Sequence, residues 1–282
     1  MSPVDSVNNL VISKITDSSK YLLQVDCVDA DLDFYNDVSK NNENIRAIYN
    51  GGQVIGLACV REDKDSYVYV YIFKDYRNQG FGYSAVCTLE SQLMSSQSIS
   101  TAYNSKNICA QKLAEKCGFV KRLSSVVMQY DGEAFDIPIL PIRKHTDKDF
   151  IEAYTMSAEA FHVMRLETGY YHDSVPYAPD EEIRKHCLDT ADERYIYEVA
   201  GKIVGCAHID GAELDNVSIK ISHQGKGLGR LFIKYLVNEI LKNGHKKPFL
   251  YCIDKNVKAR QLYNSLGFKE IACNVYAIKK RV

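Results

Sequence analysis

The chain repeats itself once, at long range. A glycine-rich turn, Arg77-Asn78-Gln79-Gly80-Phe81-Gly82, recurs as Gln224-Gly225-Lys226-Gly227-Leu228-Gly229. A second string follows each turn: Asn107, Ala110, Leu113, Gly118 and Phe119 align without a gap on Asn256, Ala259, Leu262, Gly267 and Phe268. Arg77 to Gly118 is 41 positions and Gln224 to Gly267 is 43, a difference that one loop absorbs. The period is too long for a solenoid of stacked short units. A chain of 282 residues has room for two domains. Two copies of one mixed α/β domain are therefore expected, residues 1–135 and 136–282, with the linker in 132–141, where Gly132, Pro138 and Pro141 punctuate the chain.

The order of predicted elements is the same in both halves. Residues 45–49 and 54–60 read as two strands joined by Asn50-Gly51-Gly52, a hairpin signal. A strand over 66–73, the first glycine turn, a helix to about Met94, a strand over 99–103 and a helix stopped by Gly118 follow. In the second half, strands over 195–199 and 203–209 flank Ala200-Gly201-Lys202, and a strand over 217–221 leads into the second glycine turn. A helix over 232–241 then places Leu231, Tyr235, Leu236 and Ile240 near one face. A short buried strand over 249–253 and a helix from Asn256 stopped by Gly267 complete the copy.

Composition removes several classes of function. Lys+Arg 35 against Asp+Glu 36 gives a formal charge of -1, too little positive field to hold nucleic acid or an anionic membrane. Lys279, Lys280 and Arg281 read as a solvated tail. No apolar run approaches the roughly 20 residues of a membrane span, and residues 1–9 lack the apolar core of a secretion signal. The nine cysteines form no CxxC pair, and Cys59, Cys206 and Cys252 fall in strand-like apolar runs. Reduced thiols in a cytoplasmic protein, with no metal site, are expected.

Each glycine turn follows a strand and opens a helix. Unpaired amides and the positive end of the helix dipole converge there. Missing Cβ atoms let a polyanion approach the backbone, so the turn reads as a diphosphate cradle, or else as a tight connection with no ligand. A P-loop would need Lys and Ser/Thr after its last glycine, but Gly229 is followed by Arg230 and Leu231. A dinucleotide fingerprint would need GxGxxG, whereas Gly225, Gly227 and Gly229 are each two apart.

What remains resembles the GNAT acyltransferase superfamily. Both turns fit its phosphate motif of Arg or Gln, two residues, Gly, one residue, then Gly or Ala. The string from Asn256 to Phe268 is similar to its second signature. The resemblance implies a mixed α/β fold: a mostly antiparallel central sheet with one splayed strand pair, flanked by helices. It implies acetyl-CoA as acyl donor, lying between strands 217–221 and 249–253, with its diphosphate on Gln224, Gly225, Lys226, Gly227, Leu228, Gly229 and Arg230. A backbone N–H at Ile219, Lys220 or Ile221 would polarise the thioester carbonyl, and Asn256 would bond the pantetheine. Tyr263 stands where the family has its general acid; a packed core tyrosine is the other reading. Glu213 and Asp215 precede the strand with the parity of Val217 and Ile219, so each could face the cleft as the base, or could be turn residues after Gly211. Glu213 is favoured, Asp254 is a third candidate, and His208 reads as a satisfied strand residue.

The copies are unequal. The position of Tyr263 is Ala114 in the first copy and that of Glu213 is Ser66. The C-terminal copy is thus expected to be catalytic, and the first structural or regulatory. The longer C-terminal insertion carries Phe161, His162, Tyr170, Tyr171, His172 and Tyr177, which could line an acceptor pocket or form a helix core. The acceptor would be a small-molecule or peptide amine, with no nucleic acid or membrane partner; the oligomeric state stays open. A non-catalytic acyl-CoA sensor is the alternative, and an aminoacyl-transferring relative a third.

Overall fold

The computed structural model describes residues 10–26, 30, 32–63, 65–93, 96–170 and 174–280. In chain order the strands and helices are β1 (Leu10–Lys14), α1 (Leu32–Ser39), β2 (Ile45–Asn50), β3 (Gln53–Arg61), β4 (Asp65–Ile72), α2 (Phe81–Gln92), β5 (Ser98–Asn104), α3 (Ile108–Lys116) and β6 (Val120–Gln129). The second half gives β7 (Ile142–Lys144), α4 (Phe150–Thr168), α5 (Glu181–Asp189), β8 (Arg194–Val199), β9 (Lys202–Asp210), β10 (Glu213–Ile219), α6 (Leu228–Lys242), β11 (Phe249–Ile253), α7 (Val257–Ser265) and β12 (Lys269–Lys280). The order α–β–β–β–α–β–α–β occurs twice, apart from the additional helix α5.

Two compact units result, and the first is built from two separate stretches of chain. One runs to Ser124 and takes in the chain from Cys273 onward; the other is Ser125–Ala272. The chain therefore leaves the first unit within β6 and returns to it within β12. In the N-terminal unit the strands lie side by side as β1, β2, β3, β4, β5 and β12, with β12 antiparallel to β5 from Asn274↔Asn104 to Lys280↔Ser98. In the C-terminal unit the order is β7, β8, β9, β10, β11 and β6, with β6 antiparallel to β11 from Gln129↔Phe249 to Ser125↔Ile253. Each copy of the repeat thus gives its last strand to the sheet begun by the other. The segment expected as a linker, 132–141, lacks regular structure but is fastened to α6, where Asn238 Nδ2 donates to the Phe135 carbonyl and the Phe135 amide donates to Asn238 Oδ1.

Both sheets are antiparallel except at one junction each. β4 runs parallel to β5 over Asp65–Tyr67, and β10 runs parallel to β11 at Glu213↔Phe249. Beyond those residues the two strands of each pair diverge. The helices follow from apolar spacing. Phe81, Ala85, Val86 and Leu89 of α2 are buried, as are Phe232, Ile233, Leu236, Val237 and Ile240 of α6. The buried stripe of α6 is rotated from the expected one: Leu231 and Tyr235 sit at its border, and Phe232, Ile233 and Val237 carry the packing. In the N-terminal unit α2 and α3 cover one sheet face around Ile48, Ile55 and Ala58, while α1 covers the other around Leu57, Tyr69 and Tyr71. In the C-terminal unit Ala153 and Met156 of α4 pack on Ile196 and Ile203.

Candidate active site

The second glycine turn is pinned to the strand before it. The Ile221–His223 turn of 3-10 helix follows β10, and Gln224 Nε2 donates back to the Ile219 carbonyl at 2.9 Å. Gly225 and Gly227 have φ of +73° and +82°, a conformation that costs an L side chain roughly 1–2 kcal/mol. Gly227 is the N-cap of α6 and no side chain caps it. Among the described residues the amides from Gly225 to Arg230 have no protein hydrogen-bond partner; the first bond of the helix end runs from the Leu231 amide to the Gly227 carbonyl. A Cβ at Gly225 or Gly227 would meet no atom within 4 Å, so the cradle is open. Lys226 and Arg230 are exposed beside it, and Arg230 also donates to Ser265 Oγ, tying α6 to α7.

The split between β10 and β11 starts after Glu213. On its other edge β10 pairs with β9, and the Lys220 amide donates to the Val204 carbonyl at 2.8 Å. Alternation along an antiparallel strand turns the Ile219 amide the other way, toward the split. Between Asp215 and Ser218 the register slips by one residue: Asp215 faces His208, and Ser218 faces Cys206. This bulge at Asn216–Val217 has Asn216 at φ +52°, and Asp215 Oδ1 accepts from the Asn216 amide at 2.8 Å.

The bulge corrects the parity read from the sequence. Glu213 and Asp215 were expected on the face of Ile219; the extra residue puts them on the face of Ser218 instead. Asp215 is engaged by the Asn216 backbone and lies 3.6 Å from His208 Nδ1. His208 also meets Glu193 at 3.2 Å, and these two carboxylates, Asp215 first, hold its pKa above the ordinary value. Asp254 accepts from the Tyr170 hydroxyl at 2.7 Å. Glu213 is half-buried at the narrow end of the split, about 13 Å of strand from Val217 at roughly 3.3 Å per residue.

Tyr263 lies on α7, its ring 5.8 Å from that of Phe268. Its hydroxyl has no hydrogen-bond partner among the described residues. Burial, and secondarily the nearby Cys252 thiol, push its pKa well above the ordinary phenol range. Asn256 is the N-cap of the same helix, its Oδ1 accepting from the Ala259 amide at 3.2 Å. Asn107 caps α3 identically through Ala110. The repeated Asn and Ala are therefore a capping pair in both units, leaving only the Asn256 side-chain NH2 for another partner.

A cavity of about 250 Å³ lies beneath α4 and α5. Asn216 of the bulge is one of its walls, so it meets the splayed edge of β10. Of the aromatic residues singled out in the insertion, Phe161, His162 and Tyr177 line it. Tyr170 is turned to Asp254 instead, and Tyr171 and His172 lie outside the described residues. Tyr154, Arg165, Arg194 and His145 also line the cavity, and sequence reasoning passed over them. The bulge was missed too, although Asp215-Asn216 inside a strand was a usable signal, since Asn tolerates positive φ. Among the described residues no three His, Cys, Asp or Glu side chains converge as metal ligands, and no helix is long and apolar enough to cross a membrane.

The acetyltransferase (GNAT) family model matches residues 13–119, and the FR47-like protein model matches 197–277. The chain is 37% identical over 62 residues to the [ribosomal protein bS18]-alanine N-acetyltransferase of Escherichia coli (strain K12), a match spanning 22% of this chain and 42% of that protein. Its fold is similar to that of a GCN5-related N-acetyltransferase from Sphaerobacter thermophilus, with a TM-score of 0.69 and 14% identity over 97% of this chain and 96% of the other. It is also similar to a tandem GNAT protein from the clavulanic acid biosynthesis pathway, with a TM-score of 0.64 and 11% identity over 96% and 98%. At those identities the structural likeness is one of fold, but both halves carry it, and each is matched by a family model. The chain belongs to the GNAT acetyltransferase family, as a tandem of two such domains.

Proposed function

We propose that the protein transfers an acetyl group from acetyl-CoA to an amine, with the chemistry in the C-terminal unit and a structural or regulatory role for the N-terminal one. One observation carries this reading. The split beside β10 has an open phosphate cradle at one end and a cavity wall, Asn216, at the bulge.

The donor supplies an acetyl group activated as a thioester. The chain's own groups bind it and handle charge. The amides from Gly225 to Arg230 and the α6 dipole hold the diphosphate. The Ile219 amide, turned into the split, stabilises negative charge on the thioester oxygen. The Tyr263 hydroxyl stays protonated and donates to the departing sulfur. Glu213 stands too far along the strand for direct contact and takes the amine proton through water. Asp215 supports the bulge and Asp254 holds Tyr170, so neither is assigned as base. The cysteines among the described residues are all free, which suits a cytoplasmic setting.

The test is thiol release from acetyl-CoA with a panel of amines. Tyr263→Phe should lower turnover about tenfold to a thousandfold with acetyl-CoA affinity unchanged. Unchanged turnover removes Tyr263 from the acid role. Acetyl-CoA binding without turnover for any amine would favour a sensor.

A further inference from the structure

The walls of the cavity under α4 and α5 carry a consistent chemical bias. Among the described residues they include Arg165, Arg194 and three histidines, and no aspartate or glutamate. Neighbouring carboxylates have partners of their own: Asp149 pairs with Arg143, Glu193 and Asp215 with His208, and Asp180 caps α5 by accepting from the Ile183 amide. Arg194, at the start of β8, is half-buried, and its Nε donates to Thr190 Oγ1 at 2.8 Å. That bond fixes the plane of the guanidinium. Among the described residues Nη1 and Nη2 have no partner, which leaves the paired end of the fork for a planar anion. His145, 7% exposed and on the same wall, has a buried Nδ1 with no hydrogen-bond partner. A buried polar atom in that state normally meets a ligand or water.

The rest of the lining is flat and apolar. Tyr154, Phe161 and Tyr177 form one side, with the Tyr154 and Tyr177 rings edge-to-face at 5.9 Å. The volume is above the roughly 150 Å³ that a benzene-sized guest fills and below the ~300 Å³ at which drug-sized pockets begin. A polyamine or an aminoglycoside needs carboxylates around it and finds none among the described lining residues.

We infer that the acceptor is an amine of amino-acid size carrying a carboxylate on a flat apolar body, with Arg194 as the residue that selects the carboxylate. This rests on the reading of the cavity as the acceptor side of an acetyltransferase. The carboxylate pairs with the free end of the Arg194 guanidinium, the apolar body lies on the aromatic wall, and the amine points to the bulge at Asn216.

Binding, measured separately from turnover, decides the question. CoA-saturated protein is titrated calorimetrically with L-phenylalanine and L-tyrosine, and with 2-phenylethylamine and tyramine, which lack only the carboxylate. Spermidine and an alanine-initiated hexapeptide are the remaining arms. The carboxylated members should bind at least about tenfold more tightly, the usual scale of a charge-assisted pair. Arg194→Gln should erase that preference and Arg194→Lys should keep part of it, with CoA affinity and far-UV circular dichroism unchanged in both. Equal binding within each pair overturns the inference. So do tightest binding by spermidine or the peptide, no binding by either amino acid, or a preference that survives Arg194→Gln. Thiol release run in parallel reports on acetyl transfer alone: no turnover with any amine would overturn the transferase reading, while carboxylate-selective binding that depends on Arg194 would still stand as the ligand preference of the cavity.

Discussion

In the C-terminal unit the strand entering the glycine turn is bulged at Asn216–Val217 and the space beneath it is open. In the N-terminal unit β4 runs against β3 without a slip from Arg61↔Tyr67 to Gly56↔Ile72. The turns themselves are alike. Arg77 Nε donates to the Ile72 carbonyl at 2.9 Å as Gln224 does to Ile219, and Gly80, at φ +87°, caps α2 as Gly227 caps α6. The side chains beneath the strand differ. Tyr71 stands where the other unit has Ser218, and Phe34 stacks on Tyr69 at 4.6 Å and on Tyr71 at 5.9 Å. The recess that remains, about 210 Å³, lies beside Tyr67, where β4 is still paired with β5, and holds the Arg61–Asp37 ion pair. The same cradle thus leads to an aromatic core in one copy and to an open cavity in the other. A phosphate turn is local and survives duplication, whereas a reaction site also needs small residues beneath the strand and an extra residue within it.

The sharpest way to break that contrast is to move the proton donor. Ala114 is buried at the position of Tyr263. If catalysis needs the bulge and the cavity as well as the phenol, Ala114→Tyr added to Tyr263→Phe should recover nothing of the expected tenfold to thousandfold loss. Steady-state thiol release from the double variant checks this. Recovered turnover would mean that the N-terminal unit lacks only its acid.

A second test compares what holds the helix over each recess. Asp149 accepts from Arg143 Nη1 and Nη2, both at 2.7 Å, and from the Thr146 amide and hydroxyl; Arg143 also reaches Glu198. The Arg143 guanidinium in particular holds the Asp149 carboxyl well below the usual carboxylate range. A depressed carboxylate stabilises the fold above its unfolded pKa of about 4, and that contribution is lost as pH falls through the native value. Asp149→Asn should therefore cost about 2–3 kcal/mol at pH 7, and the difference from wild type should shrink toward pH 2. Asp37 pairs with the half-exposed Arg61 through one contact and also accepts from Asn42 Nδ2 and Cys59 Sγ, bonds that an amide oxygen can still accept, so Asp37→Asn should cost less than Asp149→Asn. Thermal melts of both variants across pH measure the gap; equal losses would remove this difference between the units.

Much of the architecture was legible because it is written in short-range signals. The repeated Asn–Ala spacing is a helix cap, the glycines mark positive φ, and the order of strands follows from the hairpins. The exchange of β6 and β12 was not legible. Val126, Val127 and Met128 would read as a buried strand against either sheet, and only tertiary packing chooses the partner. The face of Glu213 was misread because strict alternation fails across one inserted residue. Arg194 went unnoticed because a lone arginine at a strand start carries no periodic signal. Its significance comes from Thr190, His145 and a cavity lining with no acidic side chain among the described residues, which sequence spacing does not bring together.

The smallest expected effect is also the best controlled. Gly227→Val and Gly80→Val both force a β-branched residue into a left-handed N-cap, so the conformational cost, roughly 1–2 kcal/mol, is shared. A Cβ at Gly227 meets no protein atom within 4 Å, so no internal clash is added to that strain. Any difference between the variants in acetyl-CoA affinity then reports what each cradle holds. Gly227→Val should weaken acetyl-CoA binding about tenfold, because the side chain stands where the amides face the diphosphate. Gly80→Val should leave it unchanged if the C-terminal cradle alone is occupied. Titration at one site per chain for wild type, with the loss confined to Gly227→Val, fits the division of roles drawn from the bulge. Two sites per chain, one abolished by each substitution, would mean that the N-terminal unit has kept the donor and lost only the chemistry. An unchanged affinity in both would place the diphosphate somewhere other than these turns.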